Sequence, residues 1–433
     1  MAATTMMAMP VGDLPKITYE EFTLDNGLRV ILSVDRSAPV VATFVHYHVG
    51  SKNEQPDRTG FAHFFEHLMF EGTENIPRHS VDKLVQSAGG NLNAFTSFDE
   101  TGYQIQVPSN ELKLALWIES ERMLHAKIEE IGVETQRGVV KEERKSRLDN
   151  QPYGSILENM AKYVGAGTPY EWTPIGSAQY IDQATIDEFR AFYKKFYVPN
   201  NAVLAIVGDI DVDETKKLVQ SYFGDIPRGQ DITQPEFTFE IGKEEVVKDI
   251  LEPQTPLPAL LYAYRTAAQG AEDAYALEYL ATILARGNSS RLYRTMVDEK
   301  QLALQSSAFP FSLEKGGLFG MFTIGRTPGD DLAVLGKEFD AIIEDVKQNG
   351  VTEREFAKAR NQIETQFANS FNSVLSKAQA LAQAATFYDD PNRVNSEIDD
   401  YMAVTLADVQ RVAKKYLSQE NRVVLRYLPG GGR

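Results

Sequence analysis

The sequence predicts an α+β fold made of two tandem homologous domains, each a mostly antiparallel or mixed sheet covered by helices. Three observations predict it. The chain has 433 residues, too many for one ordinary core. One segment recurs at a constant offset, and short β-branched runs alternate with longer amphipathic helices.

The recurring segment counts the domains. Residues 185–197 (TIDEFRAFYKKFY) run on to Asn201-Ala202-Val203-Leu204, and residues 405–417 (TLADVQRVAKKYL) run on to Asn421-Arg422-Val423-Val424, at an offset of 220. Each copy reads as a capped helix followed by a strand, with Thr185 and Glu188 forming a capping box. Helical periodicity disappears in the Pro- and charge-rich stretch from Arg228 through Pro235 to about Ile250. The expected division is a catalytic domain at 15–230, a linker at 231–250 and a homologous domain at 251–433.

Along the first half, Val40 to Val45 reads as a strand, and Phe61 to Leu68 as a short apolar helix that Gly72 is suited to cap. Asn91 to Val107 follows a Gly89-Gly90 helix stop and reads as two strands around Asp99-Glu100. Thr135 to Lys145 reads as a charged helix in which Val139, Val140, Glu143 and Arg147 share an inward face.

Chemistry concentrates in His63-Phe64-Phe65-Glu66-His67. On a helix its three polar side chains share one face. Two imidazoles at i and i+4 can hold one Zn²⁺, and the carboxylate can act as general base on a zinc-bound water. The spacing H-x-x-E-H reverses the commoner H-E-x-x-H order and is the inverzincin signature. A hydrogen-bonded core cluster is the bland alternative. A third ligand must come from elsewhere; Glu143 shares the inward face of its helix, but periodicity does not show that it reaches a metal, and a helical salt bridge to Lys or Arg is the plain reading.

These residues resemble the pitrilysin/insulinase class of inverzincin metallopeptidases, in the short-chain group similar to the mitochondrial processing peptidase. The resemblance runs through Leu24 to Val30, Val49-Gly50-Ser51, His63 to Gly72, Gly90 to Thr96, Arg137 to Glu143, Tyr197 to Asn201 and Gly208-Asp209. It implies two domains facing each other as a clamshell, one Zn²⁺ held by His63, His67 and Glu143, and Glu66 as the base. It also implies that the strand Asn93, Ala94, Phe95 and Thr96 binds an extended peptide by β-augmentation. One departure is Gln136, where the family often has a glutamate behind the ligands; Gln donates hydrogen bonds but supplies no charge.

The second half departs further. Set against His63, Glu66 and His67 are Glu278, Ala281 and Thr282, so only the first half carries metal-site groups. Where single-chain relatives carry a substrate-gripping Arg and Tyr seven residues apart, this chain has Val297 and Leu304, neither of which donates a hydrogen bond. The resemblance therefore implies a heterodimer, with a homologous subunit carrying the Arg/Tyr pair. Arg291 and Tyr293 lie nearby at the wrong spacing and read as packing residues.

The remaining features set bounds. With 44 basic and 61 acidic residues the net charge is −17, which disfavours nucleic acid and anionic membrane surfaces. There is no cysteine, hence no disulfide or thiolate site, and no apolar run of membrane-spanning length. Met1 to Pro10 lacks the basic and apolar regions of an intact signal peptide, and both bacterial periplasm and cytoplasm stay open. Gly430 to Arg433 reads as a frayed tail. His46 and His48 share a sheet face and read as structural, as do His79 in a loop and His125 at a helix end. The expected function is a zinc endopeptidase of peptides or short unfolded segments. Phe95 suggests an apolar preference beside the scissile bond. A non-enzymatic scaffold and a self-sufficient homodimer are the alternatives.

Overall fold

The structure, a computed structural model, describes residues 16–430. Met1 to Pro10, the tail from Gly431, and the outer limits 15 and 433 expected for the domains lie outside the described residues. The first half contributes β1 (Glu20–Thr23), β2 (Arg29–Val34), β3 (Val40–Tyr47), α1 (Phe61–Leu68), α2 (Val81–Ser87), β4 (Asn91–Thr96), β5 (Thr101–Pro108) and α3 (Leu112–His125). It continues with α4 (Glu130–Arg144), α5 (Ile156–Val164), α6 (Ala178–Gln183), α7 (Ile186–Phe196), β6 (Ala202–Gly208) and α8 (Val212–Phe223). The second half contributes β7 (Val246–Glu252), β8 (Ala259–Thr266), α9 (Glu272–Ala285), β9 (Ala303–Leu313), β10 (Gly316–Gly325) and α10 (Leu332–Asn349). It closes with α11 (Glu353–Asn369), α12 (Val374–Tyr388), α13 (Arg393–Ala403), α14 (Leu406–Tyr416) and β11 (Arg422–Pro429).

The fold is α+β with two sheets. One has the order β1-β2-β6-β3-β5-β4, the other β7-β11-β8-β10-β9. Both are mixed: β2 runs parallel to β6, and β7 parallel to β11, while the remaining neighbours are antiparallel. The helices α7 and α14 begin and end 220 residues apart, and both carry the capping box, Thr185 with Glu188 and Thr405 with Asp408. β7 starts at Val246, inside the stretch expected to link the halves, and is an outer strand of the second sheet.

β3 and β6 are buried along nearly their whole length because both faces are covered, which is why they read as continuous apolar runs rather than alternating ones. One face of the first sheet closes a core with Phe61, Phe64 and Phe65 of α1, Phe189 of α7 and Val219 of α8. The other face takes a helix from the second half: α12, whose Ala378, Ala382 and Ala385 pack on Ala42, Phe44 and Ala205. In return α5 of the first half packs on β8 and β11. The same offset of 220 sets α5 against α12, so the two halves exchange equivalent helices. Among the described residues no helix is long and apolar enough to cross a membrane.

Candidate active site

α1 has eight residues, too few to be stable alone, and packing holds it in place. The rings of Phe61 and Phe64 stack on Phe189 of α7 at 4.8 and 4.6 Å, and Phe65 stacks on Phe192 at 5.3 Å. With that face buried, His63, Glu66 and His67 point together toward α4 and β4. The helix stops at Leu68, and the cap position is Met69 rather than Gly72. Gly72 serves the following turn instead, with φ of +137° and an absent Cβ that would meet Ile76 O at 2.8 Å.

Three ligand-type atoms converge. His63 Nε2 and His67 Nε2 are 3.3 Å apart, and Glu143 Oε2 lies 3.5 and 3.0 Å from them. Four-coordinate zinc with bonds of about 2.0–2.1 Å sets neighbouring ligand atoms about 3.3 Å apart, so the triangle has the size the ion requires. Glu143 Oε2 is buried and makes no hydrogen bond, which leaves it free for such a role. Among the described residues this is the one group of His and acidic side chains close enough to hold an ion.

The electrostatics keep the ligands in binding form. Burial, then the neighbouring His67, lowers the His63 pKa to about 4, so the ring is neutral at physiological pH. Contact with the His67 ring holds the Glu143 carboxyl below its ordinary range, and the Arg147 guanidinium adds to this. Arg147 Nη1 also bonds the other oxygen of Glu143 at 2.7 Å. Glu66 is pushed the opposite way, upward by burial, and Thr96 Oγ1 donates to its Oε2 at 2.7 Å, which partly offsets the rise.

Two expectations about side-chain direction are corrected. Val140 points inward, but Val139 is 43% exposed and Arg147 is also exposed, because Glu143 sits at the boundary of the buried stripe of α4. Phe95 does not face the metal side. In β4, Leu92, Ala94 and Thr96 alternate toward α1, whereas Asn93 and Phe95 point to the opposite face, where Phe95 packs on Phe44. β4 is the outer strand of its sheet, paired only with β5.

Gln136 is buried one helical stretch behind Glu143 and donates to Glu71 Oε1 at 2.6 Å, where Arg78 also binds. It ties α4 to the turn after α1 and touches none of the three ligands. In the second half, Glu278, Ala281 and Thr282 lie on α9 with no metal-type cluster. Val297 packs against the second core, and Leu304 is exposed at the start of β9. Arg291 is fixed by Glu355, Asp345 and the carbonyl of Gly350, a packing arrangement. His46 is buried against Glu100 and Thr386, and His48 bonds Glu314, both structural. The helical salt bridge allowed for Glu143 in the sequence is present as well, made at i, i+4 by Arg147.

Two family profiles match the chain: "Insulinase (Peptidase family M16)" over residues 29–167 and "Peptidase M16 inactive domain" over residues 183–363. The chain is 29% identical to the zinc protease PqqE of Helicobacter pylori over 95% of its own length and 93% of that protein. It is 25% identical to an Arabidopsis thaliana protein named "Probable mitochondrial-processing peptidase subunit beta", covering 91% of this chain and 75% of that one. The crystal structure of a protease from Helicobacter pylori superposes with a TM-score of 0.90 at 27% identity, covering 96% of this chain and all of that one.

Proposed function

The chain belongs to the insulinase family of peptidases, M16, and from that premise we propose that it is a zinc-dependent endopeptidase whose ligands are His63, His67 and Glu143 and whose general base is Glu66. The observation that carries this reading is the convergence of the three ligand atoms within 3.5 Å, with the Glu66 carboxylate on the same helix face. Held by these residues, a zinc ion would supply Lewis-acid chemistry, activating a coordinated water and polarising the scissile carbonyl.

The chain's own residues do the rest. Glu66, basic enough through burial to accept a proton and kept ionised by the Thr96 hydroxyl, takes the proton from the attacking water and returns it to the departing amine. The free edge of β4, from Asn93 to Thr96, holds an extended peptide by main-chain hydrogen bonds, which suits peptides or short unfolded segments. The catalytic domain extends over residues 15–230 and the homologous, metal-free domain over 251–433.

A partner completes the site in this reading. Val297 and Leu304 offer no hydrogen-bond donor to substrate or oxyanion, and the main packing partners of α1 are elements of its own half. A homologous subunit carrying an Arg/Tyr pair supplies these donors, and the relative named as a subunit beta is consistent with that arrangement.

Two experiments test the reading. Glu66→Gln is expected to keep stoichiometric zinc by elemental analysis while losing about 10²–10⁴-fold in turnover of a quenched peptide; wild-type turnover excludes Glu66 as the base. The purified chain is expected to be weakly active alone and strongly activated by a homologous chain bearing the Arg/Tyr pair. Full activity alone assigns the work to a self-sufficient enzyme.

A further inference from the structure

Glu54 lies nine residues before His63, in the loop between β3 and α1, and is buried. Its two oxygens accept from backbone amides at the start of α1: Oε2 from Gly60 N at 2.9 Å and Oε1 from Ala62 N at 2.8 Å. The cap residue of this helix is Gly60, at φ of +96°, which has no side chain to cap with. Glu54 forms no ion pair among the described residues, and burial pushes its carboxyl up to about 8 against the pull of the helix amides and of Trp172. Both oxygens face backbone N–H donors in the first turn of the helix.

The surroundings join this carboxylate to both ligand-bearing helices. A Cβ on Gly176 would stand 2.3 Å from Gly60 N, so the two backbones touch, and Arg144, next to Glu143, donates to Gly176 O at 3.0 Å.

We infer that Glu54 is a positioning residue for the metal centre: its carboxylate replaces the missing N-cap of α1 and fixes where that eight-residue helix presents His63 and His67 to Glu143. The inference rests on the zinc reading above. A carboxylate that only filled space would affect folding and not the ligand triangle.

The test uses the full-length chain, with zinc affinity measured by competition against a chelator and thermal midpoints recorded in parallel. Glu54→Gln, nearly isosteric but placing an amide against the N–H donors, is expected to bind zinc 10–100-fold more weakly. Its kcat should fall at limiting zinc and recover in excess zinc, with KM unchanged because β4 is untouched. Val412→Ala, in the second core on α14, is the control: it should lower the midpoint and leave zinc affinity alone. Folded Glu54→Gln that binds zinc within twofold of wild type overturns the inference. If that variant does not fold, Glu54→Asp keeps the carboxyl group one methylene short; an intermediate loss of affinity supports the inference and wild-type affinity overturns it. A wild-type chain that binds no zinc overturns the zinc reading and this inference together, whereas a zinc-binding parent with an unaffected variant overturns only the role of Glu54.

Discussion

Two opposed effects set the basicity of Glu66. Burial disfavours its charge and raises its pKa, and the Thr96 hydroxyl at 2.7 Å favours the charge and lowers it. Removing the hydroxyl therefore moves the pKa further up. Because the ionised form accepts the proton, Thr96→Val is expected to shift the acid limb of the kcat/KM profile to higher pH. Thr96→Ser, which keeps the hydroxyl, should leave the limb in place, and an unmoved limb in both variants would show that another group titrates there. At this scale the sequence was readable where chemistry was local. His63, Glu66 and His67 share one helix face by spacing alone, while Glu143 is separated from them by a long stretch of chain and only the family resemblance singled it out. Glu54 was invisible because it caps a helix from an irregular loop, although a glycine cap lacking its own side chain was the hint. Phe95 was placed on the wrong face because the alternation of β4 was not carried through from Thr96.

The elements of the two halves match by sequence offset but are not covered alike. Register pairs Leu32 of β2 with Ile206 of β6, and pairs Asp249 of β7 with Arg426 of β11, the equivalent position. In the first half that pair lies in the core that α8 closes with Val219 and Phe223. In the second half, among the described residues, no helix follows β11, and the corresponding face carries ion pairs instead: Arg426 with Asp249, and Arg422 with Asp340, each at 2.5 Å. Arg426 and Asp249 are 44% and 51% exposed there, whereas Leu32 and Ile206 are buried. Leu32→Asp should therefore destabilise the protein by more than about 3 kcal/mol in urea unfolding, since it buries an unpaired carboxylate, whereas Asp249→Leu should stay within about 1 kcal/mol. Equal costs at the two positions would contradict this account. The duplication was visible in the repeat at 220, yet the exchange of α5 and α12 was not, because hydrophobic periodicity shows that a helix has a buried face without showing which sheet it covers.

Across the whole molecule, the halves are fastened at the β4–β5 turn, three residues from Thr96. Lys52, which is fully buried, pairs with Asp99 of that turn at 3.0 Å and with Glu314, which sits between β9 and β10. Glu314 also bonds His48 at 2.7 Å and receives no help from Lys315 beyond a 3.9 Å contact; Tyr170 OH donates to Asp99 at 2.8 Å. Beside this cluster, Glu100 binds His46 at 2.5 Å and Gln383 of α12 at 3.0 Å. A lysine this deeply buried is tolerable only while its acidic partners are charged. Against the penalty of burial, His48 and Lys52 hold the Glu314 pKa down to about 2, whereas the unfolded chain protonates this residue near 4.5. A depressed carboxylate contributes stability that is complete above the unfolded value and is lost as pH falls through the folded one. Glu314→Gln is accordingly expected to cost roughly 3–5 kcal/mol at pH 7, where it leaves Lys52 short of a charged partner. The gap between wild type and variant in urea unfolding should hold down to about pH 4.5 and close progressively toward pH 2. A gap that stayed constant over that range would mean that Glu314 joins the halves by shape and neutral hydrogen bonds, and that the charge on Lys52 is carried by Asp99 alone.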